Sequence, residues 1–428
     1  MSAWARTFGP AFVRQRAMSA ALVSLAAALV FFVPAPQAAL AASRGVSSIS
    51  AGGEHACAII NGIGYCWGED FNGELGNGTS TNSGVPVAID SGGALAGKVL
   101  TQISSGYEHT CALDAAGAAY CWGLNSYGQL GDGTTTSTTV PVAVDTNGVL
   151  AGKTLTQITS GVVATCALDS AGAAFCWGFN AYGQIGDGEK SPFSTVPVAV
   201  DTNGVLAGKT LTQIMSGYEE TCALDSAGAA YCWGRDSYGQ LGDGSNANSS
   251  VPVAVNSTGA LAGRALTQIA VSWYHACAVD AVGTAFCWGR DSYGQLGDGS
   301  VTDSNVPEAV DAGGVLAGKA LTQVVAGAFD TCALDSAGAA YCWGYDHYGE
   351  LGDASTTSSS VPVAVDTGGA LAGKTLTQIT IGDYHTCAVD AAGAAYCWGR
   401  DTVGELGDDG LGDDGFGGRS SVPVLVGL

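Results

Sequence analysis

The apolar positions of this chain fall in short runs, not at helical spacing. In the stretch 100–144 the runs are Leu100–Ile103, Thr110–Leu113, Ala118–Trp122 and Val140–Val144. Each is bounded by Gly, Asn, Asp or Ser, which predicts four strands joined by turns. Residues on both faces of these strands are apolar, and many are small: Ala112, Ala118 and Ala119 stand beside Leu113, Tyr120 and Trp122. Both faces of the sheet are therefore expected to be buried against neighbours.

The second and third strands form a hairpin within Cys111–Gly123, CALDAAGAAYCWG. A three-residue loop ending in Gly117 suits a type I turn closed by a G1 bulge. That register sets Asp114 opposite Ala118 and Cys111 opposite Cys121. The first copy, CAIINGIGYCWG, is one residue shorter and turns at Asn61-Gly62. Asn-Gly is the preferred two-residue type I′ turn. Ile60 then faces Ile63, and Cys57 again faces Cys66. The deletion is matched by a turn change that restores the cysteine pair, which points to a cross-strand disulfide in every copy. The pairs are Cys57–Cys66, Cys111–Cys121, Cys166–Cys176, Cys222–Cys232, Cys277–Cys287, Cys332–Cys342 and Cys387–Cys397. Buried free thiols are the bland alternative. A metal site is the other, although the spacing does not resemble the tight C-x2-C pairs of zinc sites.

The first cysteines recur about every 55 residues, seven times. A period of this length without a helical pattern predicts propeller blades or a solenoid. Four strands in each of seven units favour an all-β, seven-bladed β-propeller with four antiparallel strands and one disulfide hairpin per blade. Pro86, Pro141, Pro197, Pro252, Pro307, Pro362 and Pro423 repeat in the fourth strand. Pro cannot donate to a ladder, so that strand belongs at the outer rim. The connector Asp145–Thr154 returns the chain to the next inner strand. Strand signals open the domain at Val46–Ile49 and end it at Val422–Val426, which leaves the phase of ring closure open.

Composition adds a compartment. Residues 1–41 carry Arg6, Arg14 and Arg16, an apolar run from Met18 to Val33, and a small-x-small site at Ala39-Leu40-Ala41. This is the pattern of a cleaved secretory signal, with a membrane anchor as the alternative. The propeller would then occupy 42–428 and be secreted or held at the cell surface, with no membrane span after cleavage. An oxidising compartment agrees with paired cysteines. The whole chain has 15 basic and 38 acidic residues; three of the basic ones lie in the leader. A surface this acidic repels phosphate backbones and argues against nucleic acid as a partner.

From Gly106 to Gly133 the repeat reads G-x-x-H-x-C-A-L, then C-W-G-x-N-x-Y-G-Q-L-G-D-G. Trp122-Gly123 and Tyr127-Gly128-Gln129-Leu130-Gly131-Asp132-Gly133 carry a resemblance to the regulator-of-chromosome-condensation repeat family. The motif recurs in phase from about residue 45 to the C-terminus. The resemblance implies a seven-bladed propeller. The family spans unrelated tasks, so it implies no single function. Its nuclear members act as a guanine-nucleotide exchange factor on chromatin, which an exported acidic chain does not fit. The cysteine pair is not general in the family either. Secreted bacterial members are nearer, and one inhibits β-lactamases by pressing an aromatic-rich face on the enzyme.

Strand parity places the loops between strands one and two, and between three and four, on one side of the disc. The hairpin turn and the connector lie on the other. The connector side carries a uniform column, Lys98, Lys153, Lys209, Arg264, Lys319 and Lys374, whose sameness points to structural pairing with Asp in neighbouring turns. The other side varies between repeats. Tyr107, Tyr218, Trp273, Tyr274, Phe329 and Tyr384 follow the first strand, and Arg235, Arg290 and Arg400 follow Trp-Gly. Aromatics and Arg gathered on a loop face are typical interface anchors. Packing of the same residues over the channel is the alternative. The connector face remains a competing surface.

His55, His109, His275 and His385 share one column; hydrogen bonds to the adjoining blade are expected of them, with a metal ring as the lesser reading. The acidic insertion 408–415 could hold calcium, but its spacing is not that of an EF-hand. There is no nucleophile elbow, no HExxH and no Cys/His pair with a free thiol. The expectation is a monomeric, non-enzymatic module with no cofactor and no metal, which binds a protein or surface partner. A secreted lyase or hydrolase at the channel mouth is the alternative. Nucleotide exchange, by family analogy, is a further one.

Overall fold

The hairpins form as their spacing requires. A computed structural model describes residues 45–409 and 418–428. Cys111 faces Cys121, and the Asp114 amide donates to the Ala118 carbonyl at 3.0 Å. Gly117 closes this turn at φ +78°. In the first repeat Asn61 and Gly62 take φ +53° and +78°, Ile60 faces Ile63, and Cys57 faces Cys66. All seven pairs are disulfides, with S–S distances from 2.03 to 2.14 Å, and no described cysteine is free.

Seven four-stranded antiparallel sheets result, one per repeat. Blade two comprises Leu100–Ser105, His109–Asp114, Ala119–Gly123 and Thr138–Ala143, from the channel outward. Every blade is built from consecutive strands. Blade seven runs Leu376–Ile381, His385–Asp390, Ala395–Arg400 and Arg419–Leu425. The phase left open by the sequence is thereby settled: no strand is exchanged, and blade seven closes on blade one by packing. Pro141 lies in the outer strand, where the register shifts between Cys121 and Gly123, so its missing N–H costs no ladder bond.

The core lies in the seams between blades. Each third-strand Trp is fully buried and donates its indole N–H to a carbonyl of the preceding blade. Trp122 bonds Glu74, Trp177 bonds Gln129 and Trp233 bonds Gln184, at 2.7–2.9 Å. Trp67 makes the same bond to Glu405 at 2.9 Å and so joins blade one to blade seven. The glycine two residues after that carbonyl lies against the ring. A Cβ on Gly131, held at φ +69°, would come within 2.6 Å of Trp177 Nε1. This contact accounts for the pairing of Trp-Gly with Gln-Leu-Gly in the sequence.

Near the channel six of the seven seams are stitched by glutamines, blade one having Ser48 at that place. Gln102 donates to the Ile158 carbonyl at 3.1 Å and accepts from the Ile158 amide at 3.0 Å. Gln157, Gln213, Gln268 and Gln323 repeat the double bond to the next inner strand. Gln378 reaches the Ile49 carbonyl at 3.5 Å.

The connector side is a set of ion pairs. Lys98, Lys153, Lys209, Arg264, Lys319 and Lys374 each pair with the Asp that ends the second strand of their own blade, at 2.6–3.2 Å. Asp114 also accepts the Ala116 and Ala118 amides, both at 2.9 Å, and the Tyr120 hydroxyl. Burial raises its pKa, but these donors and the Lys98 ammonium outweigh burial and hold it below the ordinary carboxylate value. The uniform column is structural. One kind of element was not anticipated: each of the six connectors carries a short 3-10 turn, such as Gly148–Leu150 after blade two, which buries its Leu.

Candidate functional site

Two loops per blade meet on the variable face because the backbone ties them together. The amide after Trp-Gly donates to the carbonyl of the middle loop residue: Arg235 to Glu219, Arg290 to Tyr274 and Arg400 to Tyr384, at 2.8–2.9 Å. The first loop is fastened to the next blade, as where the Tyr107 amide donates to the Gly161 carbonyl at 3.2 Å. Side chains on these loops are therefore fixed relative to one another across seams.

Tyr107, Tyr218 and Trp273 converge on the channel mouth. Trp273 stacks on Tyr218 at 5.1 Å and meets Tyr107 edge-on at 5.6 Å. Its indole N–H donates to Asp383 Oδ1, two blades away, at 2.9 Å. Beneath it lies a cavity of about 70 Å3 bordered by the loop glycines Gly52, Gly106, Gly161, Gly217, Gly327 and Gly382. The capping role weighed as an alternative is real for these residues. All three nevertheless keep part of their surface in solvent.

The remaining aromatics continue as an arc over blades two to seven. Tyr127 meets Phe179 at 5.0 Å, Tyr238 meets Tyr274 at 5.4 Å, Tyr293 meets Phe329 at 5.5 Å and Tyr345 at 5.0 Å, and Tyr348 meets Tyr384 at 5.7 Å. The tyrosines of the Y-G-Q and Y-G-E turns pack onto the next blade. In the sequence they stand only as part of the repeat motif. Their signal was their absence from the first and last repeats, where Asn72 and Val403 take the position.

Three arginines are inlaid in the arc. Each lies over a tyrosine of the preceding blade: Arg235 over Tyr182, Arg290 over Tyr238, Arg400 over Tyr348. Each fixes its Nε on a hydroxyl two residues on: Ser237, Ser292 and Thr402, at 2.8–2.9 Å. Arg235 pairs with Glu219, and Arg400 with Glu54 and Glu405. Arg290 lies 5.2 Å from the centroids of Tyr238 and Tyr274 and 5.6 Å from that of Phe329. None of the described ion pairs includes it.

Blades one and two complete the face with carboxylates, which sequence reading passed over. Burial, then Glu54 and Glu108, raise the pKa of Glu69. Burial and the neighbouring Asp383, Glu54, Glu108 and Glu69 push the Tyr107 phenol up to about 12. Beside them Phe71 is 78% exposed.

Below the loops the histidine column is buried. His55, His109 and His275 bond Thr110, Thr165 and Thr331 of the next blade through Nε2, at 2.8–2.9 Å. His385 departs from this expectation. The next blade offers Ala56 where Thr would stand, and neither ring nitrogen has a partner. Burial holds all four at about 3. The same column carries Glu220 and Asp330, whose carboxyls burial pushes well up. Of the acidic insertion 408–415, residues 410–415 lie outside the described residues, as does the expected leader.

A family model described as the RCC1-like domain matches residues 30–320. The chain belongs to the RCC1-like family. Models of the regulator of chromosome condensation repeat also match 337–389, 321–350 and 376–405. The RCC1-like chain is 31% identical over 366 residues to the ultraviolet-B receptor UVR8 of Arabidopsis thaliana, covering 85% of this chain and 79% of that one. It is 33% identical over 301 residues to the human E3 ubiquitin-protein ligase HERC2, covering 69% of this chain but 6% of HERC2. Among solved structures it superposes on human WBSCR16 with a TM-score of 0.73 at 23% identity, over 85% of this chain and 93% of that one. It superposes on yeast RCC1 (Prp20), solved with Kap60 bound, with a TM-score of 0.71 at 20% identity, over 90% and 85%. These structural likenesses concern the fold. RCC1-like propellers are mostly non-catalytic modules for protein interaction or nucleotide exchange.

Proposed function

We propose that this RCC1-like propeller is an exported interaction module that holds a protein partner on its variable loop face. The observation that carries the reading is the arc of half-exposed aromatic and Arg side chains, Tyr127 to Arg400, preordered by contacts across blade seams. Rigid aromatic surface binds without a large ordering cost. The connector face offers less, since its cations are spent on Asp partners in their own blades. Yeast RCC1 is known with Kap60 bound, and Prp20p has been studied for its binding to Gsp1p and histones, so the fold is used for protein contacts elsewhere. Export rests on the leader pattern of residues 1–41 and on seven cysteine pairs. Its own test is N-terminal sequencing of the mature chain, expected to begin at Ala42.

The binding test is capture from secreted and surface extracts, with a β-lactamase panel, by native protein and by a Tyr107→Ala/Trp273→Ala/Tyr384→Ala variant. Circular dichroism and intact disulfides verify the variant's fold. A partner kept by the native protein and lost by the folded variant is the expected result. A partner kept equally by both overturns the reading.

A further inference from the structure

Resting on that reading, we infer that Arg290 is a receptor for a single carboxylate, supplied by an Asp or Glu side chain of the partner protein. The inference comes from comparing three equivalent arginines. Arg235, Arg290 and Arg400 occupy the same place after Trp-Gly, stack on the preceding Tyr and anchor Nε on a nearby hydroxyl. Arg235 and Arg400 are answered from within the chain by Glu219 and by Glu54 with Glu405. In blade five the place of Glu219 is taken by Tyr274, and in the next blade the place of Glu54 is taken by Phe329. The carboxylate is replaced by a ring, and no carboxylate among the described residues pairs with Arg290.

A guanidinium has five N–H donors in a planar fork. Arg290 spends Nε on Ser292, so the Nη edge keeps its donors for a carboxylate from outside. Tyr238, Tyr274 and Phe329 fix the fork, as their ring centroids within 5.6 Å show. Water is partly excluded there, and a charge-assisted hydrogen bond is stronger for it. The occupant's charge is set by the surroundings. Arg290 is an unpaired cation set among aromatic rings on a face that also holds Glu54, Glu69 and Glu108, on a chain of net charge −23. A monoanion satisfies the fork; a phosphate adds a second charge that the acidic surface repels. The aromatic wall suits the apolar residues that flank such a carboxylate in a partner loop.

The test uses the full chain with 15N-labelled arginine side chains, titrated with N-acetyl-aspartate amide. The Arg290 Nε and Nη signals are expected to shift, while those of Arg235 and Arg400 hold still. N-acetyl-asparagine amide should move nothing. Inorganic phosphate should act more weakly than the aspartate probe. No response at Arg290, or an equal response to phosphate, overturns the inference. Any partner caught by the loop face should bind Arg290→Ala at least tenfold more weakly, and Arg290→Glu more weakly still. Arg290→Lys, which keeps the charge and loses the fork, should fall between. Capture unaffected by all three, yet lost on the Tyr107/Trp273/Tyr384 variant, sinks the carboxylate and leaves the binding face standing. Capture indifferent to every variant removes both.

Discussion

Trp273 and Asp383 hold hands across the channel: the indole of blade five donates to a buried carboxyl of blade seven at 2.9 Å. Between them they close one mouth of the ring. Among the described residues Trp273 is the tryptophan with partial exposure; the seven repeat tryptophans are buried. Asp383→Ala should free it. Acrylamide quenching of tryptophan fluorescence is expected to rise in that variant, to change little in Asp383→Asn, and to lose its accessible component in Trp273→Phe. Unchanged quenching in Asp383→Ala refutes the latch.

The cysteines offer a mass measurement. Reduction should add fourteen hydrogens to the intact oxidised protein, two for each of seven bridges. Replacing one pair, Cys222→Ser with Cys232→Ser, should cost about 2–3 kcal/mol, read from denaturant midpoints. Alkylation of thiols without prior reduction speaks against the bridges.

The seam bonds differ in a way that mutation can expose. The Gln184 carbonyl receives both Trp233 and the Thr221 hydroxyl, at 2.9 and 3.0 Å. The Gln240 carbonyl receives Trp288 at 3.0 Å, and Ala276 stands where that Thr would be. Trp233→Phe leaves its carbonyl one donor; Trp288→Phe leaves none. A buried acceptor without a partner costs about 1–3 kcal/mol, so Trp288→Phe should be the more damaging by about that margin. Equal losses in urea unfolding contradict the pairing.

Stability should depend on pH in two opposed ways. Burial raises Glu350 to about 8 and Glu74 and Glu405 to about 7. Their folded pKa lies above the unfolded one, so their contribution is full in acid and is lost as pH rises through that range. The histidines run oppositely. His55, His109, His275 and His385 fall to about 3, and their contribution is lost as pH drops below the ordinary histidine value of 6.5. Between pH 8 and 6.5 the acids dominate, the histidines of the unfolded chain having only begun to take up protons, so urea midpoints should climb as pH falls. Below 6.5 the histidines oppose that climb, and His109→Gln should weaken the opposition. A midpoint that rises from 6.5 to 8 contradicts the assignment.

Much of this was legible in local spacing. The change of turn from Ala115-Ala116-Gly117 to Asn61-Gly62 is enough to align Cys57 with Cys66, because hairpin register depends only on nearby residues. The sameness of Lys98 and its counterparts likewise foretold a local Asp partner. What escaped depends on residues brought together around a ring. Nothing in the sequence near Trp273 names Asp383, 110 positions away. Arg235, Arg290 and Arg400 look alike as letters. Only the folded ring shows that Arg235 is answered by Glu219 of its own blade and Arg400 by Glu54 of the next, and that Tyr274 and Phe329 hold both places at Arg290.

The glutamine stitches carry one more consequence. Six seams are crossed by a covalent connector as well as by side chains. The seam from blade seven to blade one has no connector. Its stitch, Gln378 to Ile49, spans 3.5 Å against 2.7–3.2 Å elsewhere, and His385 finds no threonine there. The ring is thus a bracelet with a clasp. Under load or heat it should part at that place first, and a circular permutant whose ends open a stitched seam should leave the old clasp the firmer of the two.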